Sequence, residues 1–142
     1  MTRLRQIKAF LDRHIDYRGA IAGAAVLGSI VLYVNIEHGW GPALVAAGKQ
    51  ATYTFFAGGY MVRLNERIVL ALEPGLLAVP AGILCAGGLA VSLTYLVHSM
   101  RGTPEPLNST LPTLVLIFFG FAFLGIRART ARGRRQEASR PG

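Results

Sequence analysis

Three stretches of this chain, residues 19–36, 74–97 and 109–126, are apolar over lengths that match a lipid bilayer and not a protein core. The hydrocarbon layer is about 30 Å thick and a helix climbs about 1.5 Å per residue, so about 20 apolar residues cross it. Irregular backbone facing lipid would leave N–H and C=O groups without partners, which restricts such spans to helices. A fourth stretch, 42–61, reads PALVAAGKQATYTFFAGGYM. It has the length but not the purity, because Lys49 and Gln50 stand side by side inside it. The expected fold class is therefore an all-α integral membrane protein with four transmembrane helices in a compact bundle.

The two ends carry the charge. Fifteen Lys and Arg face seven Asp and Glu, for a net charge of +8, and few of these lie inside the spans. In residues 1–18, Leu4, Ile7, Leu11 and Ile15 recur at helical spacing with Phe10 beside them. Arg3, Arg5, Lys8, Arg13 and Arg18 fall on other faces. That pattern predicts an amphipathic helix lying on an anionic lipid surface with its cations on the headgroups. A solvated leader is the alternative, and a signal peptide is not expected because no cleavage site follows a short apolar core. Residues 127–142 are arginine-rich and lack large apolar side chains. They predict a disordered tail, with Arg127 and Arg129 on lipid phosphates. With four spans, the leader, the connection holding Arg63 and Arg67, and the tail all fall on one side. The excess of Lys and Arg there places both termini in the cytoplasm, as expected for a bacterial inner membrane protein. Tyr33, Trp40 and Tyr95 then mark the outer interface, and Tyr17 and Tyr60 the inner one. The domain boundaries expected are 1–18, 19–126 and 127–142.

Small residues mark where helices approach. Gly19 and Gly23 form a G-x-x-x-G pair, and Ala78, Gly82, Ala86 and Ala90 repeat every fourth position. Such ridges let backbones come close, which is how helices gain contact in lipid. They predict packing either within the chain or onto a second copy or a larger membrane protein. Cys85, the single cysteine, sits among them and is read as a small packed residue. Asn108-Ser109-Thr110 spells a glycosylation sequon just before a span, where Ser109 or Thr110 is expected as a helix cap.

Chemistry concentrates in the second span. On a helix, Lys49, Tyr53, Phe56 and Tyr60 share one face with Thr52 beside them, and Gln50 and Thr54 lie on the next strip. A lysine at the centre of a span costs about 2.5–3.5 kcal/mol on insertion scales, so it needs an outlet or a partner. Three readings stay open. The ammonium snorkels towards water or Glu37; it sits in a polar pocket with Gln50, Tyr53, Tyr60, Glu37 and His38 and binds an anion; or it serves acid–base chemistry. No second carboxylate, base or metal set stands beside it, so a non-catalytic role is expected over an enzymatic one. His38 and His98, with Glu37 and Glu105, have metal-ligand types but no ligand spacing, and neither metal nor cofactor is expected. Nucleic acid is not expected either, because the basic residues flank spans instead of accompanying a soluble basic fold. The function expected is binding or transport of an anionic lipid or small anionic solute around Lys49. The alternative is a non-catalytic subunit that assembles a larger membrane complex.

Overall fold

The computed structural model describes residues 3–73, 75–100 and 106–139. Among them every regular element is helical and no strand occurs. Helix α1 covers Arg3–His14 and α2 covers Tyr17–Asn35. The break between them is set by Asp16, whose extended backbone and carboxylate cap α2 by accepting from the Arg18 N–H at 3.2 Å. A 3₁₀ turn, Ile36–His38, leads to Gly39, which adopts φ +97°. That left-handed conformation is easy only for glycine, and it turns the chain into α3, Trp40–Tyr53. A wide π-turn, Thr54–Gly58, joins α3 to α4, Gly59–Ala71. Helix α5, Gly75–Gly82, passes through a second π-turn, Ile83–Gly87, into α6, Gly88–Met100. Helix α7 runs 33 residues, Pro106–Ala138.

Three helical stretches are long and apolar enough to cross a bilayer: Tyr17–His38, Gly75–Met100 and Thr110–Ala138. Only 11%, 22% and 11% of their apolar windows are buried within the chain. Apolar side chains left outward over such lengths suit hydrocarbon and not water. Residues 42–61 are helical throughout but are not among the three, because Lys49, Gln50, Thr52 and Thr54 dilute their hydropathy.

Three expectations are corrected. Residues 127–138, read as part of a disordered tail, continue α7 without interruption. The same helix begins at Pro106, so Ser109 and Thr110 lie inside it and do not cap it. Cys85 is exposed, because it shares the outer side of its π-turn with Leu84 while Ala86 and Gly87 take the inner side. The expected role of Glu105 falls outside the described residues.

The chain divides into two compact units, Met1–Arg63 and Leu64–Gly142. In the first, α2 lies antiparallel against α3 and the start of α4 along a ridge of small residues. A Cβ on Gly28 would meet Ala51 Cβ at 3.2 Å, one on Gly23 would meet Thr54 Cγ2 at 3.3 Å, and one on Gly19 would meet Val62 Cγ1 at 3.1 Å. A Cβ on Gly59 would stand 2.7 Å from Ile15 and 2.8 Å from Ala20. The backbone closes the same junction, as the Asp16 N–H donates to the Gly59 carbonyl at 3.1 Å. The G-x-x-x-G pair of α2 therefore serves contacts inside this unit.

In the second unit, Asn65 and Val69 of α4 are fully buried, and Gly82 of α5 lies directly beneath them. Ala78 and Ala86 are also fully buried and Ala90 half-buried, which turns the fourfold ridge inward. A Cβ on Gly87 would meet Ile117 of α7 at 2.7 Å. The Asn65 amide donates to the Phe121 carbonyl at 3.3 Å. At the end of α4, Arg129 of α7 donates to the carbonyls of Val69 and Leu72, both at 2.9 Å, and to Glu73 at 3.1 Å. Arg132 donates to the Leu70 carbonyl at 2.5 Å. These carbonyls are the ones a helix C-terminus leaves without intrahelical partners, and cations there also complement the helix dipole. Gly75 leaves room for the Arg129 guanidinium, since a Cβ would stand 2.7 Å from it.

Candidate functional site: the Lys49 face

Helix α3 has two unlike sides. Ala43 and Thr54 are buried and Gln50 and Ala51 half-buried on the side that meets α2. Leu44, Val45, Lys49, Thr52 and Tyr53 are exposed, as are Phe56 of the π-turn and Tyr60 of α4. Lys49, Tyr53, Phe56 and Tyr60, expected on one face, are each exposed, but the π-turn Thr54–Gly58 interrupts the α-helical register between Tyr53 and Tyr60.

Lys49 is the only cation among these exposed residues. Among the described residues it has no hydrogen-bond or ion-pair partner. Gln50 does not stand with it: its Nε2 donates to Thr54 Oγ1 at 3.1 Å on the half-buried strip. Thr52 returns its hydroxyl to the Gly48 carbonyl at 2.8 Å. Glu37 and His38 lie exposed in the turn before α3, and no hydrogen bond or ion pair joins either of them to Lys49. The six residues expected to form a pocket thus separate into three exposed side chains (Lys49, Tyr53 and Tyr60), an inward amide and an exposed turn.

One residue that the sequence did not single out reaches Tyr60. His14 is half-buried at the end of α1, and its ring stacks on Phe10 at 4.3 Å and on Tyr60 at 6.5 Å, nearly parallel to the latter at 15°. Its Nδ1–H donates to the Phe10 carbonyl at 2.8 Å, which leaves Nε2 as the acceptor of the neutral ring. The i,i+4 spacing of Phe10 and His14 was the available signal for the first stack. The contact with Tyr60 joins residues far apart in sequence and left no local trace.

The cations expected on lipid headgroups divide as well. Arg3, Arg5, Lys8, Arg13 and Arg18 are exposed, and so are Leu4, Ile7 and Phe10, so α1 keeps both its charged and its apolar side open. Lys8 meets Asp12 at 2.6 Å, and Tyr17 donates to the same carboxylate at 2.9 Å. The hydrogen bond from Lys8, followed by that from Tyr17, holds the Asp12 carboxyl below its ordinary range. The same bond raises Lys8. Arg127 is exposed, whereas Arg129 is committed to the end of α4.

Elsewhere, a cavity of about 230 Å³ in the second unit is lined by Val91, Ser92, Tyr95, Leu107, Thr110, Leu111 and Leu114. No cluster of three or more His, Cys, Asp or Glu that could hold a metal occurs among the described residues. No protein-family model, curated protein or solved structure matches this chain.

Proposed function

We propose that the chain is a small multi-pass membrane protein that holds a phosphate- or carboxylate-bearing ligand, an anionic lipid or a small anionic solute, at Lys49. The observation that carries this reading is a single unpartnered cation, Lys49, among the exposed Leu44, Val45 and Tyr53 of α3. In this reading the helix from Trp40 is the fourth crossing, and the opposite side of α3 is already covered by α2.

A bare ammonium among apolar side chains is costly in lipid, and a bound anion offsets that cost. The geometry favours the end of the helix nearer Trp40. Side chains on a helix tilt towards its N-terminus, so the Lys49 stem runs towards Val45 and Gly41. Lys49 is seven residues past Pro42, about 10 Å at about 1.5 Å per residue, a depth that a snorkelling stem partly recovers. In the same reading α1 lies on the cytoplasmic leaflet with Arg3, Arg5 and Lys8 on headgroups, and both termini are cytoplasmic. The assembly-subunit alternative loses its main support, because Gly19, Gly23, Ala78, Gly82 and Ala86 are used inside the two units.

The test is native mass spectrometry of the full chain released in mild detergent, wild type beside Lys49→Ala. Retention of a phosphatidylglycerol-type lipid or small anion by the wild type and its loss in Lys49→Ala is the expected outcome. Competition with inorganic phosphate separates the two sources, since only a free-anion site empties. Equal lipid retention in both proteins overturns the reading and leaves Lys49 as a snorkelling residue.

A further inference from the structure

Helices α6 and α7 leave a cavity of about 230 Å³ between them, with Val91, Ser92 and Tyr95 on one side and Leu107, Leu111 and Leu114 on the other. Both helices contribute to apolar stretches long enough to cross a bilayer. Tyr95, Leu107, Leu111 and Leu114 are all exposed, so the cavity opens outward and not into a protein core. From Leu107 to Leu114 it runs about 10 Å at about 1.5 Å per residue, about a third of a hydrocarbon layer about 30 Å thick. Tyr95 stands near the end of its span, where amphipathic rings meet the headgroup boundary. Two hydroxyls that line the cavity, those of Ser92 and Tyr95, have no hydrogen-bond partner among the described residues. A hydroxyl without a partner is costly away from water.

We propose that this cleft holds one acyl chain of a membrane glycerolipid, with the chain's ester carbonyl at the Ser92 and Tyr95 hydroxyls. The site is separate from Lys49, and nothing in it depends on an anion. Three features select the occupant. The open side belongs to a span, so a lipid chain is what reaches it, and an empty cleft forfeits the dispersion contacts of its walls. The volume suits a chain segment, since an apolar cavity of about 150 Å³ already holds benzene. The polar groups are uncharged donors, and no Asp, Glu, His, Lys or Arg lines the cavity. A plain hydrocarbon would leave both hydroxyls unpaired, and a charged headgroup would find no counter-charge. An ester carbonyl accepts from a hydroxyl, and it sits between headgroup and chain, at the depth of Tyr95. The bound chain thereby fills the gap that α6 and α7 leave.

The experiment uses the full chain in phosphatidylcholine vesicles with a trace of phosphatidylcholine that carries a diazirine near the ester of one acyl chain. Cross-linked residues are located by mass spectrometry. Leu96 and Leu116 serve as references, because they lie at similar depths on other sides of the two helices and are exposed much as Leu111 and Leu114 are. Labelling of Leu111 and Leu114 should exceed that of Leu96 and Leu116 about tenfold, the effect of holding about two buried methylene groups. Leu111→Trp fills the cleft and should lower labelling of Val91 by a similar factor. Tyr95→Phe removes one oxygen and should lower labelling of Leu111 and Leu114 about fivefold, the scale of one net hydrogen bond. That variant keeps the test open if Leu111→Trp fails to fold, which altered labelling of Leu96 would reveal. Labelling that follows exposure alone overturns the site, as does labelling that Tyr95→Phe or a folded Leu111→Trp leaves unchanged. A second copy of the chain seated in the cleft would exclude the probe, so an unlabelled cleft also overturns it.

Discussion

Gly87 and Gly88 are neighbours with opposite roles. A Cβ on Gly87 would press on Ile117 at 2.7 Å, while one on Gly88 would meet nothing within 4 Å. Gly87→Ala should therefore cost about 1–3 kcal/mol, the range of overpacked sites. Gly88→Ala should be neutral or gain up to about 1 kcal/mol by stiffening the unfolded chain. Thermal unfolding of the two variants in one detergent decides it, and equal melting temperatures would sink the assignment. At this scale the sequence was partly legible. The fourfold spacing of Ala78, Gly82 and Ala86 gave the packing face, but nothing local named its partner. Asn65 falls in the sequence between Arg63 and Arg67, in what reads as a polar connection. The structure buries it completely, with its amide on Phe121 and Gly82 beneath it. That placement depends on helices whose contacting residues lie 56 positions apart, which local pattern does not encode.

Among the elements, α7 departs furthest from expectation. Its arginines looked like a solvated run because composition alone separates them from the apolar body before them. What keeps residues 127–138 helical is a contact of another element. Arg129 and Arg132 supply donors to the open end of α4, and that end in turn fixes the arginines. Arg129→Ala removes three charge-assisted bonds and leaves the Val69 and Leu72 carbonyls without that donor. The expected cost is about 1.5–3 kcal/mol, the scale of hydrogen bonds to charged groups. Hydrogen exchange of the amides in 127–138 should accelerate in this variant, whereas Arg127→Ala should leave them unchanged. Equal protection in the two would show that the arm holds itself. Helices α1, α2, α5–α6 and most of α7 were legible from period and length. The end of α7 was not, since its support comes from a segment about 60 residues earlier.

For the whole molecule, the reading as an all-helical chain with apolar spans rested on length and hydropathy, and the structure bears it out for three stretches. The fourth crossing rests on the length of residues 42–61, and the orientation on charge distribution. Cys85 offers a native probe of the surrounding solvent, because it is exposed within Gly75–Met100. In intact membranes a water-soluble maleimide should fail to label it, and labelling should appear once the protein is denatured in aqueous detergent. Rapid labelling by the water-soluble reagent would place that side of the span against water. The two π-turns carry a further consequence, for how the chain tolerates changes in length. A π-turn holds one residue more than an α-turn. Losing one residue within 54–58 or 83–87 converts the wide turn to an ordinary one, and the flanking segments keep the faces they present. The same loss elsewhere in these helices swings everything beyond it by about 100°. The chain thus has two places where it can be shortened without being rotated, and both lie beside the glycines that hold its units together.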